Sequence, residues 1–139
     1  MTHIADGDYA ALWQKVDNSG FGRTLGMKLL ELRQGYAVVS MRADESFESW
    51  VGRTHGGAIM ALADQALSAA AGTLPGAPIA IQFNINFLST AARGEEVFAT
   101  ARQVHVGRRV AVFDFEVRDR QHRLLAQGQA TGLCRQESP

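Results

Sequence analysis

His55, Gly56, Gly57 and Asp64 are the residues of this 139-residue chain whose types and spacing could do chemistry. They lie in "RTHGGAIMALADQALSAAAG", residues 53 to 72. From Gly57 to Gly72 the only polar side chains are Asp64, Gln65 and Ser68. A carboxylate in such a run costs several kcal/mol unless something compensates it. The His-Gly-Gly turn directly precedes or opens a helix, whose first N–H groups have no intrahelical acceptor. They carry the positive end of the helix dipole, and glycine lets a ligand come close. That suits a developing oxyanion. Structural alternatives stand beside these readings: a tight turn that needs glycine, and an Asp64 carboxylate bonded to Ser68 one turn on or to a sheet. Gly57 and Asp64 are seven residues apart, about 10 Å along a helix at about 1.5 Å per residue. If both act on one substrate, they come from two different chains.

The elements that must position them can be read from periodicity. Tyr9, Leu12, Trp13 and Val16 recur at helical spacing within residues 8 to 18, and "SGFGRTLG" reads as a glycine-rich connection. "MKLLELRQGYAVVSMRAD" reads as two strands around Gln34-Gly35, the second with Ala37, Val39 and Met41 alternating with Val38, Ser40 and Arg42, and "ESFESWVGRT" reads as a loop. The main helix covers residues 56 to 72, ended by Gly72 and "LPGAP". Four strand signals follow. In the first, Ile79, Ile81, Phe83, Ile85 and Phe87 share one face, with Gln82, Asn84 and Asn86 on the other. In the third, Ala111, Phe113, Phe115 and Val117 form the apolar face. Strands around one helix predict an α+β domain with an antiparallel sheet. A helix apolar nearly all round is expected to be wrapped by the sheet or covered by another subunit. A sheet curled around one central helix is the hotdog architecture, and its outer strands offer an edge to a second copy.

Composition excludes several classes. Lys plus Arg and Asp plus Glu are 14 each, so nothing favours nucleic acid or an anionic membrane. The single cysteine, Cys134, excludes an intrachain disulfide and a Cys-based zinc site, and suits a reducing cytoplasm. It is expected to pack on the last strand. The four histidines show no metal-ligand spacing. No metal or cofactor is expected. The N-terminus is not expected to be a signal peptide, and no stretch approaches the roughly 18 apolar residues of a membrane span.

"THGGAIMALADQA", "SGFGRTLGMKLLEL", "GYAVVSMRAD" and "IQFNINFLSTAARGEEVFATARQVHVGRR" resemble the PaaI-like thioesterases of the hotdog superfamily. The resemblance runs from about residue 10 to 133 and implies one domain over residues 1 to 139. It implies an acyl-CoA substrate, aryl such as phenylacetyl or short to medium aliphatic. Asp64 would be general base or nucleophile. The amide of Gly56 or Gly57, with Gly57 preferred, would polarise the thioester carbonyl, and His55 would hydrogen-bond and position. Two departures stand out. Ser49 occupies the place, six residues before His55, where relatives often carry Asn or Gln. Ala80 stands where some carry Ser or Thr to hold water, a task left to Gln82 or Ser68. Arg108 and Arg109, with His105 nearby, and Arg93 make a cluster suited to the CoA phosphates. Trp50 and Phe47 are expected either to line the acyl pocket or to pack at a subunit contact. A homodimer with composite sites, paired into a dimer of dimers, completes the expectation. The competing readings are a non-catalytic acyl-CoA-binding protein and a hydratase, for which no second His-plus-acid pair is found.

Overall fold

The computed structural model describes residues 4–5 and 8–135. One seven-stranded sheet, in the order β1-β2-β3-β5-β6-β7-β4, holds the molecule together. Its strands are β1 (Ile4–Ala5), β2 (Lys28–Arg33), β3 (Tyr36–Arg42), β4 (Ile79–Phe87), β5 (Glu96–Val106), β6 (Val110–Asp119) and β7 (Leu124–Leu133). All neighbours pair antiparallel except β1, a two-residue addition beside β2 that no sequence signal announces. The helices are α1 (Ala10–Asp17), α2 (Gly20–Thr24) and α3 (Gly56–Gly72). The expected glycine-rich connection is thus partly the helix α2, which begins after Ser19, a residue type suited to that position.

α3 lies in the curve of the sheet, against β2 through β7. The close approach is made possible by alanines on both sides. Ala58, Ala63, Ala66, Ala69 and Ala70 of α3 meet Ala37, Ala99, Ala101, Ala111 and Ala130 of the strands, all buried in one core. Leu29, Leu32, Val39, Met41, Leu62, Val97, Phe113, Val117 and Leu125 fill it. The expected alternation on β3 and β6 holds, with Ala37, Val39, Met41, Ala111, Phe113, Phe115 and Val117 facing the core.

Two expectations are refined. The sheet does not wrap α3 all round: Gly57, Met60, Asp64 and Ser68, spaced for one helical face, form an exposed stripe, which leaves cover by a second subunit as the standing alternative. The flank of that stripe near Gly56 meets β4, where Phe87 stands, while the flank near Gly72 meets Leu12 of α1. β4 also differs. Its register slips between Ala80 and Gln82, so Ile81 bulges out of the ladder with β7. Phe83 and Ile85 pack on the core, whereas Ile79, Ile81 and Phe87 are exposed. β4 ends the sheet, so its second side has no strand beside it.

Candidate active site

The exposed stripe of α3 floors an open cleft of about 490 Å³. Phe21 of α2 and Ala80 to Phe83 of β4 form its walls, and Gly57, Met60, Ala61, Asp64 and Gln65 its floor. Asp64 keeps accessible surface there. Partial withdrawal from water among these apolar groups raises its carboxyl above the ordinary aspartate range. No side-chain hydrogen bond joins Asp64 to Ser68 or to the sheet among the described residues. The structural alternative for this carboxylate therefore lacks the partner it requires. Ser68 does not line the cleft; Gln82 does.

At the helix start His55 is the N-cap, with the extended backbone that position needs. Its Nδ1 accepts the Gly57 N–H at 2.8 Å. The Gly57 amide, preferred above as carbonyl donor, is thereby occupied. The Gly56 N–H has no partner among the described residues. The same bond requires a neutral His55 to carry its proton on Nε2. The Gly56 amide and Asp64 are eight residues apart on one helix, about 12 Å at about 1.5 Å per residue.

The segment before His55 is tightly built. A short 3₁₀ turn, Glu45–Phe47, is capped by Asp44, whose carboxylate accepts the Ser46 N–H and whose pKa that bond lowers. His55 N–H donates to the Phe47 carbonyl, and Ser49 N–H to that of Arg53. Phe47 packs on the core. Trp50, at the tip of this excursion, is 97% exposed. Ser49 and Trp50 do not line the cleft of their own chain.

The arginines do not form one cluster within a chain. Arg93 precedes β5, and Arg108 and Arg109 follow it. At about 3.3 Å per residue, this 11-residue strand separates them by roughly 30 Å. Arg93 is also engaged: its Nε and Nη2 donate to both oxygens of Glu48, at 3.1 and 2.6 Å. It clamps the loop before β5 to the segment that leads into α3. Arg108 and Arg109 sit on the exposed β5–β6 turn, where the Arg109 carbonyl accepts the Cys134 N–H. His105, also exposed, is at that end of β5. Cys134 is half-buried beyond β7.

Phe21, Met60, Gln65, Ile81 and Phe83 are cleft residues that received no role from sequence. Their signals were present but ambiguous. Ser19 could have marked the start of α2, and Gln65 was one of three polar residues in an apolar helix.

Residues 51–126 match the family model described as "Thioesterase superfamily". The chain belongs to the thioesterase superfamily. Within it, this thioesterase is 29% identical over 126 residues to the Escherichia coli acyl-coenzyme A thioesterase PaaI, spanning 91% of this chain and 88% of the relative. It is 31% identical over 107 residues to a putative esterase of Archaeoglobus fulgidus, spanning 77% and 70%. The solved structure of the E. coli PaaI protein superposes with a TM-score of 0.85 at 26% identity, over 90% of this chain and 91% of that one. The thioesterase is thus a PaaI-like thioester hydrolase with the hotdog fold. No helix among the described residues is long and apolar enough to cross a membrane. Nor do three or more His, Cys, Asp or Glu residues among them converge as a metal site would require.

Proposed function

We propose that the protein hydrolyses an acyl-CoA thioester to the free acid and CoA, at a site shared by two copies of the chain. The observation that carries this reading is Asp64, a carboxylate of raised proton affinity in an otherwise mainly apolar cleft. Such a group can take a proton from water as the water attacks the carbonyl carbon. The electron pair then returns from the tetrahedral intermediate to expel the CoA thiolate. Alternatively the carboxylate attacks directly, breaking the C–S bond to release the CoA thiolate and forming a mixed anhydride that water then cleaves to the free acid and the regenerated carboxylate. In either route negative charge develops on the carbonyl oxygen. The Gly56 N–H, at the positive end of α3, is the open backbone donor for it. His55 positions this turn through its Nδ1 cap and presents Nε2–H outward.

The separation of about 12 Å between Gly56 and Asp64 exceeds what one carbonyl group can bridge. Pairing of two β4 edges would bring the exposed α3 stripes of two chains together, Asp64 of one near the helix start of the other. In that assembly Ser49 and Trp50 are offered to the partner's cleft. Arg108 and Arg109 remain candidates for the CoA phosphates, and further pairing into a dimer of dimers would place them near a neighbour's site. Arg93 serves the loop instead. Gln82 takes the water-holding place that Ala80 leaves open. The acyl group, aryl or short to medium aliphatic, occupies the space beside Phe21, Met60, Ile81 and Phe83. The reducing cytoplasm suits the free Cys134 thiol.

The test is release of free CoA from a panel of aryl and aliphatic acyl-CoA thioesters by the wild type and by Asp64→Asn. Turnover that depends on Asp64 is expected. Tight binding without turnover would instead identify an acyl-CoA-binding protein.

A further inference from the structure

Residues 47–55 form a small hairpin that ends at the start of α3. The His55 N–H donates to the Phe47 carbonyl at 3.0 Å, and the Ser49 N–H to that of Arg53 at 2.6 Å. Glu48 stands opposite Thr54 in an antiparallel bridge. Gly52, with a φ of 77°, supplies the left-handed residue at the tip. The second leg runs directly into His55, whose ring caps the helix. Where this hairpin stands therefore sets the place of the Gly56 N–H.

Among the described residues, one pair of side-chain hydrogen bonds ties residues 48–54 to a distant part of the chain. It runs from Arg93 Nε and Nη2 to the two oxygens of Glu48. The Glu48 side chain keeps 11% of its surface, so its carboxylate has lost most of its water and depends on this partner. A guanidinium offers a planar fork that fits a carboxylate and fixes its direction. The loop that carries Arg93 is itself braced. The Gly94 N–H donates to the Ala43 carbonyl beyond β3, and the Leu88 and Ser89 N–H groups donate to the Leu125 carbonyl of β7. Arg123 Nη2 donates to the Thr90 carbonyl from the far end of the β6–β7 turn. Arg93 thus joins a fixed frame to a hairpin otherwise held by its own bonds and by Phe47 on the core.

We infer that Arg93 is a positioning residue for thioester hydrolysis: its fork on Glu48 holds the 47–55 hairpin, and with it the Gly56 N–H, in place for the developing oxyanion. This rests on the reading of Gly56 as the carbonyl donor. A misplacement of about 1 Å can cost about 10²-fold, and a loosened hairpin costs less, so Arg93→Met and Glu48→Leu are each expected to lower kcat about tenfold with KM little changed. The double variant should lose no more than either single one. Arg93→Lys, which restores the charge without the fork, should recover part of the loss. The loss should be equal on an acyl-CoA and on the matching N-acetylcysteamine thioester, which carries no phosphate. Hydrogen exchange reads the hairpin without turnover: the Ser49 and His55 N–H groups should exchange about tenfold faster in both single variants, with the amides of β6 unchanged. Wild-type kcat in Arg93→Met or Glu48→Leu overturns the role. So does a rise in KM confined to the CoA ester and absent from Glu48→Leu, which would make Arg93 a phosphate contact. A tenfold loss with faster exchange in these variants, beside full activity of Gly56→Pro, would keep Arg93 as a positioning residue and overturn Gly56 as the donor.

Discussion

At the scale of single residues, Asp64 and Gly56 make separable demands. Asp64→Asn should lower kcat by at least about 100-fold, the scale of losing a general base. The raised carboxyl also sets a sign for stability. A folded-state pKa above the unfolded one means that the unfolded chain releases the proton more readily. Asp64 therefore costs stability at neutral pH, and the cost disappears as pH falls through the carboxyl range. Asp64→Asn should melt higher than wild type at pH 7, with the gap closing toward pH 4; thermal scans at both values check this. At the helix start, proline tests the donor, with the exposed Phe87 ring yielding a few tenths of an ångström to its Cβ. Gly56 is the first helical residue, where proline is tolerated, and His55 already has the extended backbone a following proline requires. Gly56→Pro removes the open N–H and should cost about 10²- to 10³-fold in kcat. Gly57→Pro removes the donor to the His55 cap and sets a Cβ 2.9 Å from its Nδ1, so it should shift that ring yet cost less than loss of the open N–H. Circular dichroism would verify that both variants keep α3. Equal losses would return the donor role to Gly57.

At the scale of elements, β4 must lie at one fixed height beside β7 if Ala80 to Phe83 are to wall the cleft. Gly128 makes that possible. A Cβ there would collide with the Asn84 carbonyl of β4 and stand 2.6 Å from the Phe115 ring. Phe115 in turn stacks on Phe83, with ring centroids 4.6 Å apart. Gly128→Ala should therefore destabilise by about 1–3 kcal/mol, the range for overpacking, since a backbone carbonyl cannot step aside as a side chain can. Urea unfolding would measure it, and activity should fall with the loosened wall. The turn at the opposite end of α3 is held differently. The Thr73 hydroxyl accepts the Gly35 N–H and donates to the Ala70 carbonyl, tying the β2–β3 hairpin to the end of the helix.

At the scale of the whole molecule, the exposed edge of β4 and the open stripe of α3 are one continuous face. Ile81 is 62% exposed on it and Phe21 65%. Lysine on an edge strand opposes strand pairing. If two copies pair through β4 as proposed, Ile81→Lys should give a monomer in analytical ultracentrifugation where the wild type gives a dimer, and abolish turnover with the fold intact. An active monomer would remove the shared site. Mixing asks the same question with intact edges. Asp64→Asn and Gly56→Pro chains should each be nearly inactive alone. Random pairing at equal ratio makes about half the dimers mixed, each with one intact site, so activity should recover to roughly a quarter of wild type.

Much of this was legible in the sequence because it rests on local rules. Alternation of two placed the core faces of β3 and β6, and a long apolar run between glycines placed α3. Asp64 and the His-Gly-Gly turn stood out because a carboxylate and paired glycines are costly where the pattern does not need them. What depends on atoms distant in the chain was not legible. Which glycine amide is open was decided by the rotamer of His55. Within one chain, the length of β5 separates Arg93 from Arg108 and Arg109, and Arg93 pairs with Glu48, 45 residues before it. The Ile81 bulge follows from registry with β7, and the orientation of Gln65 from Val16 and Ser19, nearly fifty residues away. Residue types and spacing determined that this chain would set a carboxylate and a helix start on one apolar helix. Only tertiary structure decided which faces stay open, because exposure and hydrogen-bond partnership are properties of what folds against a residue.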